Sequence, residues 1–331
     1  MTDPVAAADE MLDPASWNIL TSMPRLPALT MSAELEELAA VRDDIVVLTA
    51  DLASSNGLDA FERRYPDRFV NTGIAEQNMM SLAAGMASTG MIPFVSTFAS
   101  FASLLCAEQL RTDLAYTKMK VRILAHHAGI SMGFYGTSHH AVEDIAVTRA
   151  MGNMTVVSAA DGNAIRGLIR TTIDLDGPVY IRIGRGAEKQ VYAQIPDFAH
   201  GRFVPLREGD AATVIATGLG VKAAIDAAEA LAQEGIAVRV LDAVYLKPID
   251  REAILAAARE TGGILTVEEH NPYGGLGSAV AEVIAEAGLG IRFAKHALPD
   301  DYALVAPPTQ LYRHYGLTGP GVADAVRKLL A

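Results

Sequence analysis

The sequence predicts an α/β chain of two successive domains, each a mainly parallel sheet covered by helices. Three observations predict it. Short apolar runs such as Ile45–Ala50 alternate with helical stretches long enough for crossover connections, which favours parallel strands buried on both faces. The alternation lapses once and then resumes. At 331 residues, half of them hydrophobic and a fifth charged, the chain suits two compact domains and argues against disorder.

The elements follow in order. Residues 1–26 are acidic and broken by Pro4, Pro14 and Pro24, and read as a flexible tail. Ser32–Val41 has helical spacing with a serine near its start. Strands are expected at 45–50, 92–97, 120–127, 154–159 and 179–184, with helices from about Ala75 and over 99–117, 141–150 and 162–175. This first domain spans 27–187. Residues 188–209 lack a pattern and read as the linker. The second domain, 210–331, repeats the βα series from "AATVIATG" to a final helix ending at Leu330.

Composition narrows the function. A net charge of −12 disfavours a nucleic-acid partner, because phosphate binding calls for a basic surface. The single cysteine, Cys106, cannot form an internal disulfide and fits a reducing compartment. The N-terminal stretch lacks the basic start and apolar core of a secretory signal, and no apolar run has the length of a membrane span. A cytoplasmic protein with no membrane partner is expected.

Functional groups gather beyond the carboxyl ends of parallel strands. That rule selects Asp51, Thr72–Glu76, Phe98, His126–His127 and Arg182–Arg185, all in the first domain. Glu76 opens a mostly apolar helix. An acid there complements the helix dipole, yet "NMMSLAAGMA" offers little polar surface to solvate it, so a specific partner is expected. A capping box is out of register, since position 73 is Gly and Thr72 lies four residues back. His126, His127, His139 and His140 flank a glycine-rich loop; without a nearby cysteine or a helical HExxH spacing they read as a substrate pocket rather than a metal site. For His126 and His140 singly, structural burial is the ordinary reading. Phe98 and Phe101 share a helical face, normally a core pair. Arg185 suits a phosphate or an acidic partner. No P-loop or GxGxxG signature follows a strand, although "YGGLGSAVAE" at 273–282 could present amides to an anion.

Eight stretches taken together resemble the C-terminal half of transketolases: "TADLASSN", "RFVNTGIAEQNM", "TFASFAS", "ILAHHAGISMG", "TSHHAVEDIAVTRAMGNM", "GPVYIRIGR", "LTVEEHNPYGGLGSAVAE" and "YGLTGPGVADAV". They are collinear, and the resemblance covers roughly residues 30 to 331. The resemblance implies a thiamine-diphosphate-binding fold, with a pyrimidine-binding domain followed by a transketolase C-terminal domain. It implies transfer of a two-carbon ketol unit between sugar phosphates. Glu76 matches the glutamate that hydrogen-bonds the pyrimidine N1′, and Phe98 and Phe101 match the aromatics around that ring. Asp51 matches a cofactor-proximal acid. Ser55 and Arg185 match contacts to the substrate phosphate, and His127 and His139 match substrate-pocket histidines that hydrogen-bond hydroxyls or relay protons.

Two local departures stand out. Many transketolases read Gly-Glu-Asp-Gly where this chain has Gly133-Phe134-Tyr135-Gly136. The family's aspartate contacts a substrate hydroxyl; Tyr135 cannot replace it as an anion, which points to an unusual, for example branched, ketose phosphate. Leu104 stands where some members carry another aromatic. The larger departure is the lack of a diphosphate-binding domain with its Mg²⁺ ligands. The resemblance therefore implies a separate N-terminal subunit that supplies the metal site, in a heterotetramer with two copies of each chain. Competing expectations are a beta subunit of a thiamine-dependent 2-oxoacid dehydrogenase and a non-catalytic assembly subunit. 1-Deoxyxylulose-5-phosphate synthase fits less well, because it carries all three domains on one chain.

Overall fold

The computed structural model describes residues 26–185 and 189–331. The expected tail at 1–26 lies outside the described residues except for Leu26, as does the domain junction at 186–188. Two sheets, of seven and five strands, organise the described residues. The first sheet runs in the order β2 (Phe69–Asn71), β1 (Ile45–Thr49), β3 (Ile92–Phe98), β4 (Arg122–His126), β6 (Val179–Arg182), β5 (Thr155–Ser158) and β10 (Tyr245–Lys247). All neighbours are parallel except β10, which runs antiparallel to β5. The second sheet is ordered β12 (Phe293–His296), β11 (Ile264–Val267), β8 (Ala212–Ala216), β9 (Val238–Asp242) and β7 (Val204–Arg207), with only β7 antiparallel.

Burial on both faces explains the apolar runs. Val46 and Leu48 of β1 pack into one core layer with Met79, Met80 and Ala83, while Ile45 and Val47 pack into the opposite layer with Leu35, Phe61 and Ile165. β1, β3 and β4 thus feed two cores, and no position along them is left for a solvated side chain. A further layer, with Val214, Ala224, Leu265 and Val326, covers the second sheet.

The covering helices are α1 (Leu26–Ala39), α2 (Asp59–Arg64), α3 (Glu76–Ser88), a helical run α4, α5 (Asp144–Ala150), α6 (Gly162–Thr172), α7 (Gly220–Ala232), α8 (Arg251–Glu260), α9 (Leu276–Glu286), α10 (Pro308–His314) and α11 (Gly319–Leu330). The α4 run consists of π-helical Phe101–Leu105, an α turn at Ala107–Gln109 and π-helical Leu110–Tyr116.

The structure departs from the sequence reading at several points. α1 begins before Ser32, because Pro27 sits in its first turn, where a missing N–H costs no helical bond. The stretch 188–209, read as linker, contains β7, an edge strand too exposed to show an apolar run. β10 lies in the second half of the sequence yet completes the first sheet. The helix expected over 141–150 starts only at Asp144, because Ala141 pairs with Gly129 in an isolated antiparallel bridge.

Candidate active site

Parallel strands bring their carboxyl ends to one edge of the first sheet. The register pairs Thr49 with Asn71, Phe98 with His126, and Ala125 with Arg182. Most of the residues selected from the sequence stand at this edge.

Glu76 is the first residue of α3 and is 6% exposed. Its helix buries Met79, Met80 and Ala83 on the same side. Among the described residues no hydrogen bond or ion pair reaches its carboxylate. Next to it lies Cys106, whose thiol is pushed up to about 12 by burial first and by the Glu76 charge second. A buried carboxylate without a donor is unfavourable unless a ligand supplies one.

Phe101 opens the π segment of α4. Its carbonyl accepts from the Cys106 N–H at 3.2 Å across the widened turn. Gln77 Nε2 donates to the Leu105 carbonyl at 3.1 Å, tying α3 to the same segment. Widened turns of this kind are frequent at functional sites. Here Leu104 and Leu105 are left exposed at the surface.

Five rings cluster at the edge. Phe98 stands 5.5 Å from Phe101, 4.2 Å from His127 and 5.6 Å from His139, centroid to centroid. His139 also meets Phe101 at 5.3 Å and Tyr135, edge-on, at 4.8 Å. Phe98 ends β3 and only Phe101 is helical, so the two do not share a helical face as expected; they meet across the strand-to-helix junction and form one wall of the ring cluster.

His127 holds φ at 59°, an uncommon conformation for a residue with a side chain. It is buried, and its Nδ1 has no partner among the described residues. Burial holds its basicity well below the usual histidine range, helped by the charges of His126, Arg185 and His139. It is therefore a neutral ring at pH 7. His139 is lowered for the same first cause, burial, and its Nδ1 pairs with Ser138 Oγ at 2.8 Å.

The remaining candidates lie farther out. Asp51 is exposed after β1 with φ at 61°, its N–H donating to Asn71 Oδ1 at 3.0 Å. The same oxygen accepts from the Gly73 N–H at 3.0 Å, so Asn71 ties the Asp51 turn to the approach to Glu76. Ser55 is exposed on the turn that follows, outside the ring cluster. Arg185 is half-buried just past β6, and its charge acts on His127. His126 is core, in agreement with its ordinary reading: its Nε2 faces Met31 Sδ at 3.2 Å and burial pushes its pKa down to about 4.

Two sequence expectations are corrected. Arg182 is not a site cation; it is buried, donating to Asp144 Oδ2 at 2.8 Å and to the carbonyls of Ala141 and Glu269 at 3.0 and 2.8 Å. The glycine-rich start of α9 serves no external anion, because Glu268 takes its amides, accepting from Leu276 and Gly277 at 2.7 and 2.8 Å. Sequence reasoning missed Asp144 and Glu269. The paired acids in "LTVEEHN", directly after a buried strand, were the available signal.

A cleft of about 350 Å³ lies elsewhere, against the second domain, lined by Lys189, Lys222, Glu269, Tyr312, Arg313 and neighbours. None of the predicted site residues lines it. Among the described residues no group of three His, Cys, Asp or Glu is placed to hold a metal ion, and no helix is long and apolar enough to cross a membrane.

Comparison with known proteins identifies both domains. Residues 29–189 match the family described as "Transketolase, pyrimidine binding domain", and residues 201–322 match "Transketolase, C-terminal domain". A protein of Methanocaldococcus jannaschii named "Putative transketolase C-terminal section" is 40% identical over 294 residues, covering 88% of this chain and 92% of that protein. An apulose-4-phosphate transketolase subunit of Phocaeicola vulgatus is 39% identical, covering 87% of this chain and 92% of that one. A solved structure, described as "Split gene transketolase, inactive beta4 tetramer", is 42% identical with a TM-score of 0.84, covering 91% of this chain and 97% of that chain. With both domains matched in order and relatives of this length and identity, the chain belongs to the transketolase family.

Proposed function

We propose that this chain is the C-terminal subunit of a two-chain, thiamine-diphosphate-dependent transketolase that transfers a two-carbon ketol unit between sugar phosphates. The observation that carries the reading is Glu76: a buried carboxylate without a donor among the described residues, opening a helix tied by Gln77 to the π segment that Phe101 begins. These residues fit an aminopyrimidine, which offers a flat ring to the phenylalanines and a ring nitrogen to the carboxyl group. When bound, thiamine diphosphate supplies a carbon nucleophile and electron sink for cleaving the bond beside a ketone.

Each residue has a task in this reading. Glu76 holds a proton at the pyrimidine N1′, and Phe98 and Phe101 fix the ring plane. Asp51 lies near the cofactor. His127 and His139 hydrogen-bond substrate hydroxyls and move protons; their lowered basicity keeps them neutral and able to accept. Arg185 and Ser55 hold the substrate phosphate, and Tyr135 lines the pocket against His139. Mg²⁺ and the diphosphate bind to an N-terminal subunit. The exposed apolar residues near Glu76 support such a partner: Ile74 is 84% exposed, and Leu104 and Leu105 crown the π segment. A heterotetramer in the cytoplasm is the assembly we infer. The split-gene structure is described as an inactive tetramer of beta chains, which fits a chain that needs its partner. A 2-oxoacid dehydrogenase beta subunit would share the domain order, but Arg185 acting on His127 suits a sugar phosphate better.

The test is ketol transfer by the complex reconstituted with the N-terminal subunit. Glu76→Gln lowers turnover by roughly 10²- to 10⁴-fold on this reading. Unchanged turnover would make the chain an assembly subunit instead.

A further inference from the structure

We propose that Glu269, contributed by the second domain, is a positioning residue for the two site histidines of the first. Both histidines belong to one loop. His127 lies two residues before Gly129, and His139 two residues before Ala141. Gly129 and Ala141 close the loop at its neck, the Gly129 N–H donating to the Ala141 carbonyl at 3.0 Å and the Ala141 N–H returning to the Gly129 carbonyl at 2.9 Å. The span between them carries Tyr135 and His139, and the ring cluster sits at its end.

Glu269 grips that neck. It follows β11, is buried, and its Oε1 accepts from the Ile130 N–H at 2.6 Å and from the Tyr312 hydroxyl at 3.0 Å. A Cβ at Gly129 would stand 2.1 Å from the Glu269 Cδ, so the carboxylate fills the space a side chain would occupy. Gly129 also holds φ at 60°, which glycine adopts at no steric cost. On the other side of the neck, Arg182 Nη2 donates both to the Ala141 carbonyl and to the Glu269 carbonyl. The two strands of the neck are therefore fixed by one residue, through its side chain on one strand and through Arg182 on the other. The Ile130 and Arg182 bonds end on the neck, so Glu269 acts on the histidines through the backbone, while the Tyr312 hydroxyl holds its carboxylate from α10.

The strained φ of His127 gives this clamp its purpose. A left-handed residue with a side chain persists only when its surroundings over-determine it. The Ala128 N–H, bonded to the Ile183 carbonyl at 3.0 Å, fixes one side of His127, and the neck two residues on is held by the 2.6 Å bond to Glu269. A second domain that docks correctly thereby sets the histidine pocket, and one that does not leaves it loose.

The inference rests on the transketolase reading for its activity arm, but its first test does not. Histidine-labelled chain, alone, gives ring proton resonances for His127 and His139, assigned by His127→Asn and His139→Asn. Glu269→Leu is expected to move both resonances while leaving that of His314, on the surface of α10, in place. Glu269→Gln keeps an acceptor oxygen and is expected to restore them. Tyr312→Phe removes one of the described bonds to Oε1 and is expected to move them less, in the same direction, which keeps the test open if Glu269→Leu does not fold. In the reconstituted complex, Glu269→Leu is expected to lower kcat by roughly 10- to 100-fold, as for a small misplacement of reacting groups, with Glu269→Gln near wild type. Resonances unmoved in Glu269→Leu and Tyr312→Phe would overturn the proposal, and so would a Glu269→Gln protein as disturbed as Glu269→Leu. Moved resonances with inactive wild-type complex would instead fault the transketolase reading.

Discussion

The rings of Phe98 and His127 stand 4.2 Å apart, one at the end of β3 and the other just past β4. Parallel pairing sets this contact, because Phe98 lies opposite His126 in the register and the next residue turns its ring across the strand ends.

Phe98 and Phe101 should therefore separate by substitution. Phe98 is buried, and Phe98→Ala is expected to cost about 3 kcal/mol or more of stability, read by denaturant unfolding. Phe101 is only half-buried, so Phe101→Ala should leave the fold near wild type. It should instead raise the thiamine diphosphate concentration needed for half-maximal activity of the reconstituted complex. Normal cofactor dependence in Phe101→Ala would remove it from the cofactor wall.

Asp144 and Arg182 form an ion pair with both side chains almost wholly buried. Tyr180 donates a further bond to Asp144 Oδ2 at 3.0 Å. Asp144→Asn leaves the guanidinium without its anion and is expected to destabilise the chain by roughly 3–5 kcal/mol. Loss of activity without loss of stability would return Arg182 to the site.

Tyr135 is 49% exposed and meets His139 edge-on. Tyr135→Asp places a carboxylate where many transketolases have one. Relative rates across a panel of ketose phosphate donors are expected to move toward unbranched sugars. An unchanged ranking would show that this position does not select the donor.

His126 gives a pH dependence with a definite sign. Burial lowers its pKa from 6.5 to about 4, so between those values the unfolded chain binds more protons than the folded one. Its contribution is complete above about pH 6.5 and is lost as pH falls toward 4, by about 3 kcal/mol at most. Asp242 acts the other way, because burial raises its carboxyl to about 7 and the folded chain then holds the extra proton. The measurement is therefore a difference, unfolding free energy of wild type minus His126→Gln, followed from pH 7 to pH 4.5. That difference should fall with pH. A flat difference would mean His126 is hydrated or paired in the folded chain.

Much of the architecture was legible because parallel strands buried on both faces leave unmistakable apolar runs, as at Ile45–Thr49 and Val179–Arg182. β7 and β10 were not, since an edge strand and a three-residue strand carry no such pattern. Glu76 could be singled out because an acid in an apolar helix is costly without a partner. Arg182 and Arg185 could not be told apart, for they are three residues apart and only the fold puts Asp144 against the first. Glu269 escaped because its partner Ile130 lies 139 residues away, and a side chain that acts on a backbone N–H has no signature in the partner's residue type. The π geometry at Phe101–Leu105 was equally silent, since its spacing reads as ordinary helix.

On the function proposed above, this chain holds only the pyrimidine side of the site. Calorimetric titration with thiamine diphosphate and Mg²⁺ tests that most directly, on the folded chain alone and again with its N-terminal subunit. Little or no heat is expected from the chain alone, and stoichiometric binding from the mixture. Tight stoichiometric binding by the chain alone would contradict it, since the diphosphate and metal would then have a site within these two domains.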